Sequence, residues 1–198
     1  MTKILGFGDS LTAGTPGYEP GYGGDVHSQY GFWILESARK EGVTTLQFHN
    51  QGRPGELAIQ MRPRLRRLIE REKYDFAIIL GGTNDLGWGY EPTKVFEALQ
   101  NLYLDCLQVD IRIVPCTIPP IGFLDMEHQR KQRELNTLIM GNKTAMNDCY
   151  PCDIFSELVD PEGILLPEYD SGDGLHLSIE GYRKIGELIW FDILRHFF

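Results

Sequence analysis

The sequence predicts an α/β fold, a three-layer α/β/α sandwich with a five-stranded parallel sheet. Two observations predict it. Short apolar runs, typical of strands buried on both faces, alternate along the chain with segments of helical periodicity. No internal repeat or linker interrupts the 198 residues, so we expect a single domain over residues 1–198.

The composition is that of an ordinary globular chain and narrows the choice of partners. Hydrophobic residues make up 42% of the sequence and charged residues 24%. The net charge of -9 argues against nucleic acid or an anionic membrane surface as the main partner. No stretch approaches the length of a membrane span, and the N-terminal apolar run is too short for a signal peptide. We therefore expect no integral membrane association.

The cysteines favour a reducing compartment, and we expect a cytoplasmic location. Cys149 and Cys152 form a C-x-x-C pair, but the pair follows a predicted helix, whereas a redox pair opens one. A single pair also makes no zinc site without a second one. A redox role for this pair stays open.

The first predicted strand ends on a serine. Residues 3–8 form an apolar run, and Ser10 follows at its carboxyl end, where open α/β sheets bind their ligands. Ser10 is therefore either a nucleophile on a sharp strand-to-helix turn or the N-cap of a helix.

A loop over residues 13–30, rich in glycine, proline and tyrosine, follows Ser10. Long irregular loops in compact domains are typically functional or mobile. Tyr18 and Tyr22 in this loop either line a substrate pocket or pack the loop down.

The remaining strands and helices alternate to the end of the chain. Their predicted bounds are helix 32–41, strand 45–50, a helix from residue 56, strand 74–80, helix 92–108, strand 111–114, helix 128–143, a short strand at 151–154 and a last helix after Ser178. Pro63 either kinks its helix or starts a second segment. The arginines between residues 62 and 71 indicate a solvated face, because Glu70 and Glu72 dilute their charge.

Residues that suit one reaction follow these strands. Gly52 comes after the second strand, Asn84 after the third, and a late loop carries Asp173 and His176. Acyl transfer needs a nucleophile, a base, a group that orients the base, and donors for the oxyanion. Ser10, His176 and Asp173 fit the first three roles, and the Asn84 amide and two backbone N–H groups fit the last. Each residue also has a structural explanation, such as an Asx turn at Asn84 or a turn glycine at Gly52.

The order of these blocks resembles the SGNH, or GDSL-type, hydrolase superfamily. The blocks are Gly8-Asp9-Ser10-Leu11-Thr12, Asn50-x-Gly52, Gly82-x-Asn84-Asp85 and Asp173-x-x-His176. The resemblance spans nearly the whole chain and implies a flavodoxin-like fold and ester hydrolysis without a metal or another cofactor. By match of position it implies that Ser10, Asp173 and His176 are the catalytic triad. It likewise implies that Ser10, Gly52 and Asn84 form the oxyanion hole.

The sequence departs from the family core at residues 15–28, where the stretch is longer than the core requires. This departure leaves the substrate open. Asp170 is a weaker stand-in for Asp173, because it falls outside the matched spacing.

Aromatic residues give the main indication of the substrate. Those expected around the site are Tyr18, Tyr22, Trp88 and Tyr90. Aromatic faces suit sugar rings, which favours a serine esterase that removes short acyl groups, such as O-acetyl, from a carbohydrate. The same residues suit a longer acyl chain, as in a lysophospholipase or thioesterase. The candidate catalytic residues are also compatible with an acyltransferase. The fold by itself is compatible with a non-catalytic α/β ligand-binding module.

The chain ends in aromatic residues, Trp190, Phe191, Phe197 and Phe198. An apolar tail of this kind forms a homodimer contact or folds back onto its own core.

Overall fold

Strands and helices alternate along the chain in the computed structural model, which describes residues 1–123, 125–141 and 146–198. In chain order they are β1 (Thr2–Gly8), α1 (Ser10–Ala13), β2 (Tyr18–Glu19), β3 (Gly23–Gly24), α2 (Tyr30–Lys40), β4 (Leu46–Gly52), α3 (Ala58–Arg71), β5 (Phe76–Leu80), α4 (Thr83–Gly87), α5 (Pro92–Leu107), β6 (Arg112–Pro115), α6 (Met126–Gly141) and α7 (Ile179–Asp192).

The central sheet is parallel, with the strand order β4-β1-β5-β6. Helix α2 packs on α7, while α3 packs on α5 and α5 on α6, so helices cover both faces as predicted. The last residue of β1, Gly8, is level with Gly52 of β4 and Leu80 of β5. The carboxyl ends of three strands therefore meet at one edge of the sheet.

The sheet has four strands, so the predicted number of five is wrong. The segment expected as the fifth strand runs beside β6 but forms two isolated parallel bridges, Ile113–Cys149 and Cys116–Cys152. Pro115 lies between the two bridges and has no N–H to donate, which interrupts the ladder.

Two helical features differ from the prediction. Helix α3 continues through Pro63, which lies on its exposed face, where water can solvate the carbonyl that proline leaves unpaired. Helix α4 has only five residues and was not predicted. The predicted end of the helix over 128–143 lies partly outside the described residues. No helix in the described ranges combines the length and the apolar character that crossing a bilayer requires.

The glycine- and tyrosine-rich loop contains a short antiparallel hairpin of β2 and β3, followed by a 3₁₀ turn at Val26–Ser28. Gly21 and Gly23, on either side of the exposed Tyr22, both have positive φ angles. The tight turn of this hairpin therefore depends on glycine.

The aromatic tail packs against its own core. Trp190 is fully buried, and Phe197 packs edge-on against Phe76 and Tyr150 with ring centroids 5.0 and 5.1 Å apart. Phe198 stacks on Trp190 and stays about half exposed. A homodimer stays a prediction. Most of the tail packs against its own core, so little of its apolar surface is available for a dimer contact.

The four cysteines, Cys106, Cys116, Cys149 and Cys152, are unpaired and buried. Burial raises the pKa of the Cys149 thiol to about 11. A hydrogen bond with Cys116, together with burial, raises the pKa of Cys152 well above its usual value. A redox pair needs an accessible thiolate, so these thiols do not favour a redox role. The cytoplasmic location stays a prediction from the sequence.

Candidate active site

Ser10 is the first residue of helix α1, which follows strand β1. The residue that caps this helix is Asp9, whose Oδ1 accepts a hydrogen bond of 3.0 Å from the Leu11 N–H. Gly14 ends the helix in the left-handed conformation. The capping function considered for Ser10 thus belongs to Asp9, and the Ser10 hydroxyl is left for another partner.

That partner is His176, which lies 166 residues later in the chain. The distance from Ser10 Oγ to His176 Nε2 is 3.0 Å. On the other side of the ring, His176 Nδ1 lies 2.7 Å from Asp173 Oδ2. The structure therefore brings these three predicted residues into one hydrogen-bonded chain.

A tight turn holds Asp173 and His176 in place. Asp173 Oδ1 accepts the backbone N–H groups of Leu175 and His176 at 2.9 and 2.8 Å. Gly174, inside the turn, has a φ of +74°, which glycine adopts without strain. Asp170 accepts the N–H groups of Gly172 and Gly174, so its carboxylate shapes the preceding loop, while Asp173 is the carboxylate that pairs with His176.

The charge on Asp173 fixes the tautomer of His176. Partial burial raises the pKa of the Asp173 carboxyl, but hydrogen bonds from the His176 ring and from two backbone amides outweigh it. The pKa of Asp173 is therefore held well below its usual value. An ionised carboxylate accepts a hydrogen bond from Nδ1–H, so the proton of the neutral ring stays on Nδ1 and the lone pair of Nε2 faces the Ser10 hydroxyl.

Asn84 lies in the first turn of α4, close to Asp9. Its Nδ2 donates to the Glu56 carbonyl at 3.2 Å and lies 3.5 Å from Asp9 Oδ2. Gly82, with a φ of +114°, makes the sharp turn from β5 into this helix. The Asn84 amide is therefore oriented by two groups, the Asp9 carboxyl after β1 and the Glu56 carbonyl before α3.

Gly52 lies where β4 passes close to α1. A Cβ added at Gly52 would lie 2.0 Å from Ala13 N and 2.4 Å from Ala13 Cα. Glycine is required here by this close approach rather than by a turn. The Gly52 N–H, one of the predicted oxyanion donors, donates to Asn50 Oδ1 at 2.9 Å. The N–H of Ser10, at the start of α1, has no partner within that helix.

Two buried carboxyl groups beside the site were not given roles from the sequence. Asp85 accepts the N–H groups of Ala58 and Ile59 at 2.7 and 3.3 Å and so caps α3, and burial raises its pKa. Burial also raises the pKa of Asp9 to about 7, against the lowering effect of the Leu11 N–H. The sequence signal that could have indicated a role for them is their position, since Asp9 lies in the Gly-Asp-Ser block and Asp85 in the Gly-x-Asn-Asp block.

A cavity of about 560 Å³ opens beside Asn84, between α4 and α6. Of the four aromatic residues predicted to bind substrate, Trp88 lines this cavity. Tyr18, Tyr22 and Tyr90 do not line it; Tyr22 is 89% exposed in the hairpin, and Tyr90 lies beneath the Lys94 ammonium. Among the described residues, no group of three or more His, Cys, Asp or Glu side chains is arranged to hold a metal ion.

The family model of GDSL-like lipases and acylhydrolases matches residues 7–184. The chain belongs to the GDSL-like lipase/acylhydrolase family. The resemblance to this superfamily seen in the sequence is thereby confirmed. The protein is an acylhydrolase of this family, and the possibility of a non-catalytic ligand-binding module is set aside.

Solved structures of related fold cover nearly the whole chain of this GDSL-family enzyme. A G-D-S-L family protein from Desulfitobacterium hafniense DCB-2 is 18% identical, with a TM-score of 0.78 and coverage of 96% of this chain and 98% of its own. A carbohydrate acetylesterase from Sinorhizobium meliloti is 17% identical, with a TM-score of 0.78 and full coverage of both chains. A family 3 carbohydrate esterase from Talaromyces cellulolyticus is 15% identical, with a TM-score of 0.77 and coverage of 99% and 98%. Among curated proteins, none matches this chain.

Proposed function

We propose that this GDSL-family enzyme is a serine esterase that removes short acyl groups, such as O-acetyl, from a carbohydrate. Ser10 is the nucleophile, His176 the general base and Asp173 the group that orients it. The observation that supports these roles is the hydrogen-bonded chain of 3.0 Å from Ser10 to His176 and 2.7 Å from His176 to Asp173.

The reaction has two steps. Ser10 Oγ attacks the ester carbonyl while His176 Nε2 takes the hydroxyl proton, and the new O–C bond gives a tetrahedral oxyanion. The bond to the leaving alcohol then breaks, and His176 returns the proton to that alcohol. In the second step His176 takes a proton from water, the hydroxide attacks the acyl-enzyme, and the acid leaves as Ser10 regains its proton.

The oxyanion is stabilised by N–H donors at the same edge of the sheet as Ser10. Asn84 Nδ2 and the Ser10 N–H supply two of them, and Asn84 is already oriented by the Glu56 carbonyl. The Gly52 N–H is the third, and it must share its hydrogen with Asn50 Oδ1 or release that bond when the oxyanion forms. The second N–H of the Asn84 amide has only a long contact of 3.5 Å with Asp9 Oδ2, so it is released to the oxyanion at less cost than the 2.9 Å bond of Gly52. We therefore expect Asn84 to contribute more than Gly52.

Two observations favour a carbohydrate as the alcohol part of the substrate. Trp88 presents an exposed aromatic face at the cavity beside Asn84. Two proteins of the same fold, from Sinorhizobium meliloti and Talaromyces cellulolyticus, are carbohydrate esterases. A longer acyl chain, as in a lysophospholipase or thioesterase, is the second candidate, because Leu86, Ile121 and Phe123 also line the cavity.

The test is covalent labelling followed by a substrate series. A fluorophosphonate should label the wild-type enzyme and leave Ser10→Ala unlabelled. Nitrophenyl esters of increasing acyl length should then show a steep preference for acetate. A preference for octanoate would favour the second candidate, and equal labelling of both proteins would remove Ser10 from its proposed role.

A further inference from the structure

The cavity beside Asn84 has aromatic side chains at its rim and polar side chains, together with the apolar Leu86 and Ile121, in its interior. Trp88 and Phe123 at its rim are largely exposed aromatic residues. Deeper in, the cavity is lined by Thr83, His128 and Lys131, none of which the sequence marked as a site residue. Asn84 and Leu175, the neighbour of His176, also line the cavity, so it adjoins the proposed catalytic residues.

Lys131 is a nearly buried cation whose partners lie in solvent. Its side chain is 9% exposed, and Nζ lies 3.0 Å from Glu91 and 3.6 Å from Glu127. The side chains of those two glutamates are 66% and 76% exposed, so both reach inward from the surface. An ammonium group has three N–H donors, and two ion pairs in the described chain leave one of them for a ligand.

Two further polar atoms of the interior lack a partner. Neither Thr83 Oγ1 nor His128 Nε2 makes a hydrogen bond to any described residue, although both atoms are buried. Thr83 itself is only 6% exposed. Burial lowers the pKa of His128, so its ring is neutral near pH 7 and can donate or accept a hydrogen bond. Buried polar atoms of this kind are unfavourable until a hydrogen-bonding partner satisfies them.

The chemistry of these groups disfavours two ligand classes. An alkyl chain in the cavity would desolvate the Lys131 ammonium and would offer no hydrogen bond to Thr83 Oγ1 or His128 Nε2. An acidic group is disfavoured because Asp125 and Glu127 line the same cavity and offset the charge of Lys131. A neutral ring with several hydroxyl groups satisfies the interior and stacks on the aromatic rim.

We infer that this cavity is a subsite for a neutral, hydroxylated sugar ring, and that Lys131, Thr83 and His128 determine its specificity. The inference rests on the proposed carbohydrate esterase function and adds the residues that select the sugar. These are specificity residues that bind the alcohol part of the ester, at a distance from the reacting atoms.

The test compares a sugar ester with a small ester in matched variants. Lys131→Met and Thr83→Val remove polar groups of the cavity at nearly constant volume. Arg130→Met and Thr137→Val are their controls, because these residues make their hydrogen bonds on α6 itself and do not line the cavity. We expect the ratio of kcat/KM for an acetylated methyl xyloside to that for nitrophenyl acetate to fall about tenfold in the first pair, the effect of one lost hydrogen bond. The control pair should keep the wild-type ratio.

Binding provides a second readout that needs no turnover. Calorimetric titration of Ser10→Ala with the acetylated xyloside should give a Kd that weakens about tenfold when Lys131→Met is added. Equal ratios and equal Kd values in the cavity and control pairs would overturn the subsite. If wild type hydrolyses neither ester, the proposed function fails. If wild type hydrolyses nitrophenyl acetate and the cavity variants keep the wild-type ratio of kcat/KM values, the subsite is wrong while the proposed function stands. Melting temperatures close to wild type exclude a folding defect.

Discussion

Asn84 is the residue whose removal tests the oxyanion hole most directly. Its amide is held by the Glu56 carbonyl at 3.2 Å, so the donor is oriented before substrate arrives. We expect Asn84→Ala to lower kcat about 100- to 1,000-fold, as the loss of one oxyanion donor typically does. Asn101→Ala, which removes an exposed amide on α5, should leave kcat unchanged. Steady-state kinetics on nitrophenyl acetate measure both, and equal kcat values would remove Asn84 from the oxyanion hole.

Asp9 gives the fold a pH dependence of defined sign. Burial raises its folded-state pKa from 3.8 to about 7, so between these values the native protein holds a proton that the unfolded chain has released. The free energy of unfolding therefore falls as the pH rises from 3.8 to about 7, by on the order of 3 kcal/mol from this group.

The variant Asp9→Asn isolates this effect. An asparagine Oδ1 can still accept the Leu11 N–H, so the cap of α1 is kept while the titrating proton is lost. We expect the unfolding free energy of Asp9→Asn to decline less than that of wild type across this pH range. Urea denaturation at several pH values measures the difference, and parallel curves for the two proteins would contradict it.

At the scale of elements, Gly52 sets the distance between β4 and α1. A methyl group at this position would meet the backbone of Ala13, and the backbone cannot yield as a side-chain end can. We expect Gly52→Ala to displace α1, to lower kcat because Ser10 moves with that helix, and to destabilise the fold by about 1–3 kcal/mol. Nitrophenyl acetate turnover and urea denaturation measure the two effects.

Gly141→Ala is the matched control for this substitution. A Cβ added there meets no atom of the described residues within 4 Å, so kcat and stability should stay close to wild type. If Gly52→Ala behaves like this control, the close approach of β4 to α1 does not position Ser10.

Helix α3 is tied to the same sheet edge by Arg64. Its guanidinium donates to the carbonyls of Gln51 and Gly8 at 2.7 and 3.2 Å, pairs with Glu56, and lies 4.0 Å above the Phe7 ring. The expectation of a solvated arginine face is therefore wrong for Arg64, whose charge links the ends of β1 and β4. A run of arginines along a helix does not indicate which of their side chains turns toward the protein interior.

At the scale of the whole molecule, the sequence predicts those parts of the site that depend only on where the strands end. Buried strands have continuous apolar runs, and the carboxyl ends of parallel strands meet at one edge. Ser10 and Asn84 could therefore be brought together from the strands that they follow, whereas His176, on a late loop, was joined to them by the resemblance to the superfamily. The five-residue helix α4 could not be predicted, because it depends on the positive φ of Gly82 rather than on a periodic pattern.

The interior of the cavity could not be predicted either. Lys131 lies in a polar stretch of the sequence that is typical of a solvent-exposed helix, yet it is buried where α4 packs against α6. The broken ladder beside β6 is similar, because Pro115 is compatible with the end of a strand but not with pairing on both sides. Residues whose role depends on contacts between distant elements lie beyond what local patterns predict.

The aromatic tail closes one end of the core, and Phe197 is its main contact. Its ring packs edge-on against Phe76 and Tyr150, whereas Phe198 is about half exposed. We expect Phe197→Ala to lower the free energy of unfolding by about 2 kcal/mol, less than for a fully buried ring, and Phe198→Ala by less than about 0.5 kcal/mol. Chemical denaturation over a hundredfold range of protein concentration separates the two roles of the tail. A loss that is independent of concentration means that Phe197 stabilises its own chain, whereas a midpoint that rises with concentration in wild type, and not in Phe197→Ala, would assign the tail to a homodimer.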